Sequence, residues 1–358
     1  MPYVLRRASR IAFLALACLF LTRLLPALAD FIPFTDDDSI ETVRQKIAQN
    51  GYHFTVEENW ISRLPRAERD AMRSRGRRAA AARANDLATA ADVALPRLDS
   101  LPSRFDWRDV NGASYIGAIR NQGSCGACYA FSAAAAAEGV YNVATHRTGD
   151  AVADFSEQYL AFCLGSHGPY VQSFDGCDGA DYSYSELLAL TQYGIPAETA
   201  MPYTGSSPNA AACSLSGVPL VRFASWGRAA CNDIEAIKTA IATYGPVDVA
   251  VLTSYAFDVY KSGVYQDTST SCPANDFCYN TTTDHAVTLV GWDDGDASTP
   301  GHWILRNSWG TGWGEQGYMR IAYTAARVAC AAAYLTYTSP AAATTRSLPG
   351  TYQLLLQQ

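Results

Sequence analysis

Two cysteines three positions apart, Cys125 and Cys128, lie in the stretch NQGSCGACYAFS (121–132), just before a run of alanines. Such a pair can be a redox dithiol, half of a zinc site, or a structural cysteine beside a nucleophilic one. A redox dithiol normally sits between a strand and a helix, and no βαβ pattern surrounds this pair. Zinc needs four ligands, and the chain has no second C-x-x-C and no H-x₃₋₅-H. The pair is therefore interpreted as a structural cysteine beside a nucleophilic one.

A cysteine attacks a carbonyl carbon as a thiolate, and a helix N-terminus with a nearby imidazolium lowers the pKa of the thiol. Cys128 lies at the predicted start of a helix. His285, which opens the apolar stretch HAVTLVGW, is the candidate base. Asn307, in ILRNSWGTGWGEQGY, could orient the imidazole without adding a negative charge. Gln122 could donate its side-chain N–H to a developing oxyanion, together with the backbone N–H of Cys128.

The elements that must hold these residues can be predicted from the periodicity of the sequence. Ile40, Val43 and Ile47 mark one face of a short helix. Further helices are predicted over 128–144 and 183–194. Strands are predicted at 247–253, 285–292, 302–309, 317–323 and 332–337. Helices first and strands later predict an α+β protein with a helical lobe and a β lobe.

With these motifs the chain resembles the papain family of cysteine peptidases. QGSCGACYAFS is similar to the nucleophile motif of that family, and DHAV and NSWGTGWGEQGYMRI are similar to its histidine and asparagine blocks. The three motifs follow one another in the family's order within residues 101–338. The resemblance implies that Cys128 is the nucleophile, His285 the base and acid, Asn307 the orienting residue and Gln122 the oxyanion donor.

The resemblance also implies a papain-like two-lobe fold, with a helical left lobe, a β-barrel-like right lobe and the active-site cleft between them. Trp309 would shield the hydrogen bond between asparagine and histidine from water. The positions implied to contact substrate are Gly179, Ala180, Asp284 and Trp309. Ala180 stands where the family usually has a glycine, and residues 181–183 replace more apolar ones. The subsite preferences therefore stay open.

The resemblance implies the disulfide bonds Cys125–Cys177 and Cys163–Cys213. The remaining Cys231, Cys272, Cys278 and Cys330 allow three pairings, of which Cys278–Cys330 is most similar to the third disulfide bond of the family. Cys231 and Cys272 would then either pair with each other or remain thiols, and the sequence does not choose between these alternatives.

The N-terminus has the pattern of a secretory signal peptide over residues 1–29. Three arginines precede the apolar run 11–21, and the small residues of ALAD offer a cleavage site after Ala29. The apolar run is shorter than the roughly 20 residues that span a membrane, and Arg23 interrupts its continuation. We therefore expect no stable membrane insertion, and a secreted, periplasmic or lysosome-like location. Without Cys18 the chain keeps nine cysteines, an odd number, so at least one thiol should remain.

Residues 30–100 differ from the body of the chain in charge. Residues 63–83 hold eight arginines and two acidic residues, a net charge of +6, whereas the chain from residue 101 onward has 12 Lys and Arg and 22 Asp and Glu, a net charge of −10. This contrast favours a pro-region that lies on its own peptidase domain, 101–338, as an inhibitor. A flexible C-terminal tail is predicted at 339–358. The overall charge of −7 argues against a nucleic-acid partner.

These observations predict an exported papain-like cysteine endopeptidase that is made as a zymogen and acts through a thioester. No metal or organic cofactor is implied. The expected partners are protein or peptide substrates and the chain's own pro-region, and a monomer is expected. No histidine and little extra length lie between Cys177 and Cys213, where exopeptidase relatives carry a blocking insertion.

Two alternatives belong to other functional classes. One is a non-catalytic papain-fold binding protein, which would be expected to have another residue in place of the nucleophile Cys128. The other is a transglutaminase-like acyltransferase, which usually orients its histidine with Asp, where this chain has Asn307.

Overall fold

The computed structural model describes most of the chain, at residues 31–73, 95–96, 98, 100–180, 184–269 and 283–339. The predicted signal peptide and nearly all of the predicted tail lie outside these residues. The chain separates into the units Met1–Ile32 and Pro33–Gln358, and every element below belongs to the second unit. Within the described ranges, no helix has both the length and the apolar character needed to cross a membrane.

The N-terminal segment, defined here as residues 33–73, contains two helices and a short strand. Its first helix starts where the Ser39 hydroxyl accepts a hydrogen bond from the Thr42 backbone N–H at 3.1 Å, an N-cap. The side chains of Val43 and Ile47 are buried on one face, which confirms the predicted amphipathic helix. The elements are α1 (Ile40–Gln49), β1 (Thr55–Val56) and α2 (Arg66–Met72).

The helical lobe is built around one long buried helix, in agreement with the prediction for 128–144. Its alanines between positions 130 and 137 are almost completely buried, because small side chains let neighbouring elements approach the helix from all sides. At Gly139 an added Cβ would collide with the ring of Pro246, so glycine is needed there. The elements of this lobe are α3 (Cys128–Thr145), a π-helical segment (Tyr159–Ser166), a 3₁₀ turn (Gly176–Asp178) and α4 (Ser185–Gln192).

Among the described residues, the β lobe holds the five predicted strands and four that the periodicity did not reveal. Its main sheet has the order β3-β10-β4-β7-β8-β9-β6, with β2 beside β7, and β1 pairs with β5 in a small second sheet. In the described part of the chain the main sheet is not closed into a barrel. The strands are β2 (Arg104–Asp106), β3 (Ser225–Arg228), β4 (Val247–Val251), β5 (Tyr260–Ser262), β6 (Val264–Tyr265), β7 (His285–Asp293), β8 (His302–Arg306), β9 (Tyr318–Ala322) and β10 (Ala332–Thr336), with helices α5 (Ile234–Tyr244) and α6 (Tyr255–Asp258) between them.

A buried ion pair ties the two lobes together at the end of β8. The Arg306 guanidinium lies 3.4 Å from the Glu138 carboxylate of α3, and both side chains are about 95% buried. Glu138 also accepts a hydrogen bond from the Phe155 backbone N–H at 3.0 Å, and Arg306 donates to the Ala118 carbonyl at 2.6 Å. Because each charged group has further hydrogen bonds, the desolvation cost of the pair is offset. The residue after Arg306 is thereby held against α3.

Candidate active site

Cys128 is the first residue of α3 and is 2% exposed. Among the described cysteines it is the one that retains its thiol. Its sulfur therefore lies at the N-terminal end of an 18-residue helix, where the helix dipole favours a negative charge. This is the position that the sequence predicted for a nucleophilic cysteine.

One disulfide bond holds the loop that leads into this helix, and others lie elsewhere in the chain. The structure joins Cys125 to Cys177 and Cys163 to Cys213, which are the first two pairings implied by the resemblance. Cys231 and Cys330 each take part in a disulfide bond. The implied partner of Cys330, Cys278, lies outside the described residues, as does Cys272.

His285 and Asn307 lie side by side because β7 and β8 are antiparallel neighbours. His285 is the first residue of β7, and Asn307 follows the last residue of β8. Nε2 of His285 lies 2.8 Å from Oδ1 of Asn307, and the same oxygen accepts the Ser308 backbone N–H at 2.8 Å. An amide oxygen only accepts, so Nε2 must donate. Nδ1, which is buried with no hydrogen-bond partner in the described part of the chain, is left to exchange a proton.

Two contacts show that α3 and β7 begin at the same end of the molecule. The Ser132 hydroxyl of α3 donates to the Val287 carbonyl of β7 at 2.6 Å. Further along α3, Gly139 approaches Pro246. Pro246 directly precedes β4, the antiparallel partner of β7, and therefore lies beside a later part of β7. Ser132 lies about one helical turn, or 6 Å, beyond Cys128, and Val287 lies about 7 Å beyond His285. The thiol and the imidazole are therefore brought to the same edge of the lobe interface.

Trp309 covers the imidazole. Its ring is stacked on that of His285, with centroids 4.6 Å apart and an interplanar angle of 28°, and the side chain is fully buried. An aromatic plane in this position keeps water away from the hydrogen bond between His285 and Asn307, which strengthens that bond.

Gln122 is fixed at three points and is 1% exposed. Its Oε1 accepts from the Ser308 hydroxyl at 2.7 Å. Its Nε2 donates to the Cys125 carbonyl at 2.8 Å and to the carbonyl of Met72, in the N-terminal segment, at 2.9 Å. The side-chain amide of Gln122 therefore points at a peptide carbonyl oxygen that lies in the cleft.

The structure also describes the other positions that were predicted to contact substrate. Gly179 ends the 3₁₀ turn that carries Cys177 and has φ 94°, a backbone conformation that favours glycine. Ala180 forms an isolated β-bridge with Phe174. Asp284 is buried beside His285, and its carboxylate accepts from the backbone N–H and the hydroxyl of Thr253 at 2.7 and 3.0 Å. Residues 181–183 lie outside the described residues.

Comparison with known proteins agrees with this geometry. Residues 101–338 match the family model for papain family cysteine proteases. The chain belongs to the papain family. A probable cysteine protease of Arabidopsis thaliana is 34% identical over 224 residues, 62% of this chain and 44% of that protein. A cathepsin L-like protein of Caenorhabditis elegans is 33% identical over 224 residues, 62% of this chain and 59% of that protein. The chain thus spans about half the length of these curated relatives.

Solved papain-family structures resemble more of the chain than residues 101–338. The structure of digestive procathepsin L 3 from the Tenebrio molitor larval midgut has a TM-score of 0.66 and 25% identity, and the alignment covers 83% of this chain and 87% of that one. The recombinant stem bromelain precursor has a TM-score of 0.61 and 25% identity over 84% of this chain and 88% of that one. The α+β papain-like fold is thereby confirmed.

The N-terminal segment lies in the papain-family cleft. The Trp60 indole N–H donates to the Trp309 carbonyl at 2.9 Å, and the Met72 carbonyl reaches Gln122. At Gly126, an added Cβ would collide with the carbonyl oxygens of Ala71 and Cys177. The backbone of the segment therefore runs directly over the loop that precedes Cys128, and only glycine at position 126 permits this approach.

Sequence reasoning missed one acidic residue of this cleft, Asp258 at the end of α6. Its carboxylate is fully buried and forms ion pairs with Arg69, at 3.3 Å, and with Arg73 of the N-terminal segment. Arg66, in contrast, pairs with Asp37 and Asp70 of its own segment. The contrast between the basic residues 63–83 and the acidic chain from residue 101 onward predicted such an attraction, but it could not identify the carboxylate that takes part.

Burial keeps His285 neutral in this form of the protein. It lowers the pKa of the imidazole from 6.5 to about 3; the hydrogen bond to Asn307 raises this pKa, and the positive charge of Arg73 lowers it. A neutral imidazole can accept the thiol proton but does not yet form an ion pair with a thiolate. Arg73 of the N-terminal segment thus adds to the effect of burial, which is the larger cause.

Proposed function

We propose that this protein is an exported cysteine endopeptidase, made as a zymogen, that hydrolyses peptide bonds through a thioester acyl-enzyme. The observation that carries the proposal is the hydrogen bond from Gln122 Nε2 to the peptide carbonyl of Met72. It supports a cleft in which a backbone carbonyl is received by an oxyanion donor beside the thiol of Cys128. The family membership and the pair formed by His285 and Asn307 support the same chemistry.

In the proposed reaction, Nδ1 of His285 takes the proton of the Cys128 thiol, and the sulfur attacks the substrate carbonyl carbon. The side-chain amide of Gln122 and the backbone N–H of Cys128 stabilise the oxyanion that forms. His285 then gives its proton to the leaving amine, and the C–N bond breaks to leave a thioester. Water attacks the thioester while His285 accepts its proton, and the acid product and the thiol are released. Asn307 holds the ring through both proton transfers.

Residues 33–73, which belong to the proposed pro-region 30–100, account for the latency of this site. They place the Met72 carbonyl on Gln122 and the Arg73 guanidinium on Asp258, and the charge of Arg73 lowers the pKa of His285. Export is supported by the disulfide bonds, which persist in oxidising compartments. The endopeptidase assignment is supported by the short connection between Cys177 and Cys213.

The enzyme without its pro-region should be inactivated by one equivalent of iodoacetamide, with the added mass located on Cys128. Alkylation requires a thiolate, so the unprocessed zymogen, in which the imidazole is held neutral, should react more slowly. Peptide mass mapping and residual hydrolysis, measured on the same samples, check this. Full hydrolysis after complete modification of Cys128 would rule out the proposed mechanism.

A separate peptide of residues 30–100 should inhibit the processed enzyme, and more tightly at neutral pH than in mild acid. In the complex the pKa of His285 is about 3. Departure of the segment removes the charge of Arg73 and admits water, so the pKa should rise toward 6.5. The released enzyme then binds a proton that the complex does not, and inhibition weakens as the pH falls from about 6.5 toward 3.

The inhibition constant measured at several pH values checks this prediction. Arg73→Gln in the peptide should weaken inhibition by about 100-fold or more, because it leaves a buried carboxylate with one cation fewer. Arg44→Gln is the matched control, since Arg44 is 52% exposed and pairs with Glu41 of the same helix at 3.4 Å. A peptide that does not inhibit at any pH would reduce the segment to a leader or a folding aid.

A further inference from the structure

The carboxylate of Asp258 has no assigned role in the reaction above, although it lies fully buried in the cleft. We propose that in the processed enzyme Asp258 forms a subsite that selects substrates with arginine or lysine directly after the scissile bond. This inference rests on the proposed peptidase function and names its substrate class.

The first support is the origin of the two cations that form ion pairs with Asp258. Within the described residues, both cations in ion-pair distance, Arg69 and Arg73, belong to the N-terminal segment. The backbone of Asp258 is anchored independently, because its carbonyl accepts from the Trp313 indole N–H at 3.0 Å. Removal of the segment therefore takes away both guanidinium groups and leaves the carboxylate in place.

The second support is the spacing along the N-terminal segment. The Met72 carbonyl lies on the oxyanion donor Gln122, and the very next residue, Arg73, places its guanidinium on Asp258. A residue that directly follows a carbonyl bound at Gln122 can therefore reach Asp258 with a long basic side chain. Arg69, three residues before Met72, reaches the same carboxylate, so the spacing shows that Asp258 lies within one long side chain of the carbonyl at Gln122, and the general acid decides on which side of the scissile bond it lies.

The third support is the position of Asp258 relative to the general acid. The preceding residue, Phe257, packs edge-on against the rings of His285 and Trp309, at centroid distances of 6.3 and 5.9 Å. Arg73, which pairs with Asp258, also lowers the pKa of His285 through its positive charge. Because His285 must protonate the leaving amine, this side of the cleft holds the leaving part of the substrate.

Electrostatics then sets the order of preference. A carboxylate in a mostly buried position is stable only with a cationic partner, and a substrate guanidinium would restore the pair that the pro-region makes. Arginine should be preferred over lysine, because its planar donors can bind a carboxylate in a bidentate manner. Glutamine should be accepted poorly, and glutamate worst of all, because like charges repel.

The test uses the processed enzyme and a set of quenched peptides that differ only in the residue after the scissile bond: arginine, lysine, glutamine or glutamate. The ratio of kcat/KM for arginine over glutamine should be on the order of 10 to 100 in the wild-type enzyme. In Asp258→Asn this ratio should fall to near one. In the control Glu235→Gln, which removes a 73% exposed charge on α5, it should be unchanged. Ratios within one enzyme do not depend on the amount of active protein.

A second measurement covers the possibility that Asp258→Asn does not fold. The acyl-enzyme of the wild-type protein can react either with water or with an added amine. The fraction that reacts with the amine should be larger for argininamide than for glutaminamide, by a factor similar to the ratio of kcat/KM given above. A reporter with an aminocoumarin leaving group, which has no side chain after the scissile bond, tests the proposed function separately. If the wild-type enzyme does not cleave the reporter, the peptidase function itself fails. If the reporter is cleaved but arginine has no advantage in either measurement, or Asp258→Asn keeps the advantage, the subsite is overturned.

Discussion

Replacing Cys128 with alanine should lower the rate of peptide hydrolysis by about 10⁶-fold, the loss typical when the nucleophile of a covalent mechanism is removed. The helix should be unaffected, because alanine is the best helix former and the side chain at this position is small and buried. The measurement is the initial rate of hydrolysis of a fluorogenic peptide, with circular dichroism as the test of folding. A folded variant with substantial activity would show that another group is the nucleophile.

Cys125→Ala is the matched control, since it removes the sulfur three positions earlier. Here we expect the free energy of unfolding to fall by about 2–4 kcal/mol, because the bond to Cys177 closes a long loop. The fraction that remains folded should still hydrolyse the peptide. The rate of hydrolysis would then identify Cys128 as the nucleophile, and the free energy of unfolding would identify Cys125 as a structural residue.

Replacing Gln122 with alanine should lower kcat by about 10²–10³-fold with little change in KM. Its amide would act on the charge that develops in the tetrahedral state and contribute little to the bound ground state. The structure suggests a sharper variant, Gln122→Glu, which keeps an oxygen for the Ser308 hydroxyl but loses the Nε2 donor. If both variants raised KM and left kcat unchanged, Gln122 would be a binding residue and not an oxyanion donor.

Much of the candidate site could be predicted from the sequence, because each of its residues belongs to a short motif with a local structural cause. The alanine-rich run after Cys128 favours a helix wherever it is placed, and the apolar stretch from His285 favours a buried strand. The predicted strand 302–309 was too long, since the observed strand ends at Arg306. Asn307 lies just beyond that strand, and the contact of its side chain with His285 is a requirement that periodicity does not contain.

Other features depend on contacts that only folding creates. The π-helical segment at Tyr159–Ser166 and the short strands β1, β2, β3, β5 and β6 have no periodicity long enough to detect. The excess of arginines over 63–83 predicted an attraction to the acidic body, but Arg66 pairs within its own segment and Arg69 and Arg73 reach Asp258. Net charge gives the sign of an interaction, whereas the partner depends on which side chains are buried together.

The sequence by itself therefore determined the family resemblance, the chemical types of the proposed catalytic residues and most of the elements that carry them. The tertiary structure alone decided that Gln122 holds the Met72 carbonyl and that Asp258 is neutralised by Arg73. The physical reason is that motifs report local propensity and side-chain chemistry. The ligand of an oxyanion donor and the partner of a buried carboxylate are set by residues that are distant in sequence and become neighbours when the chain packs.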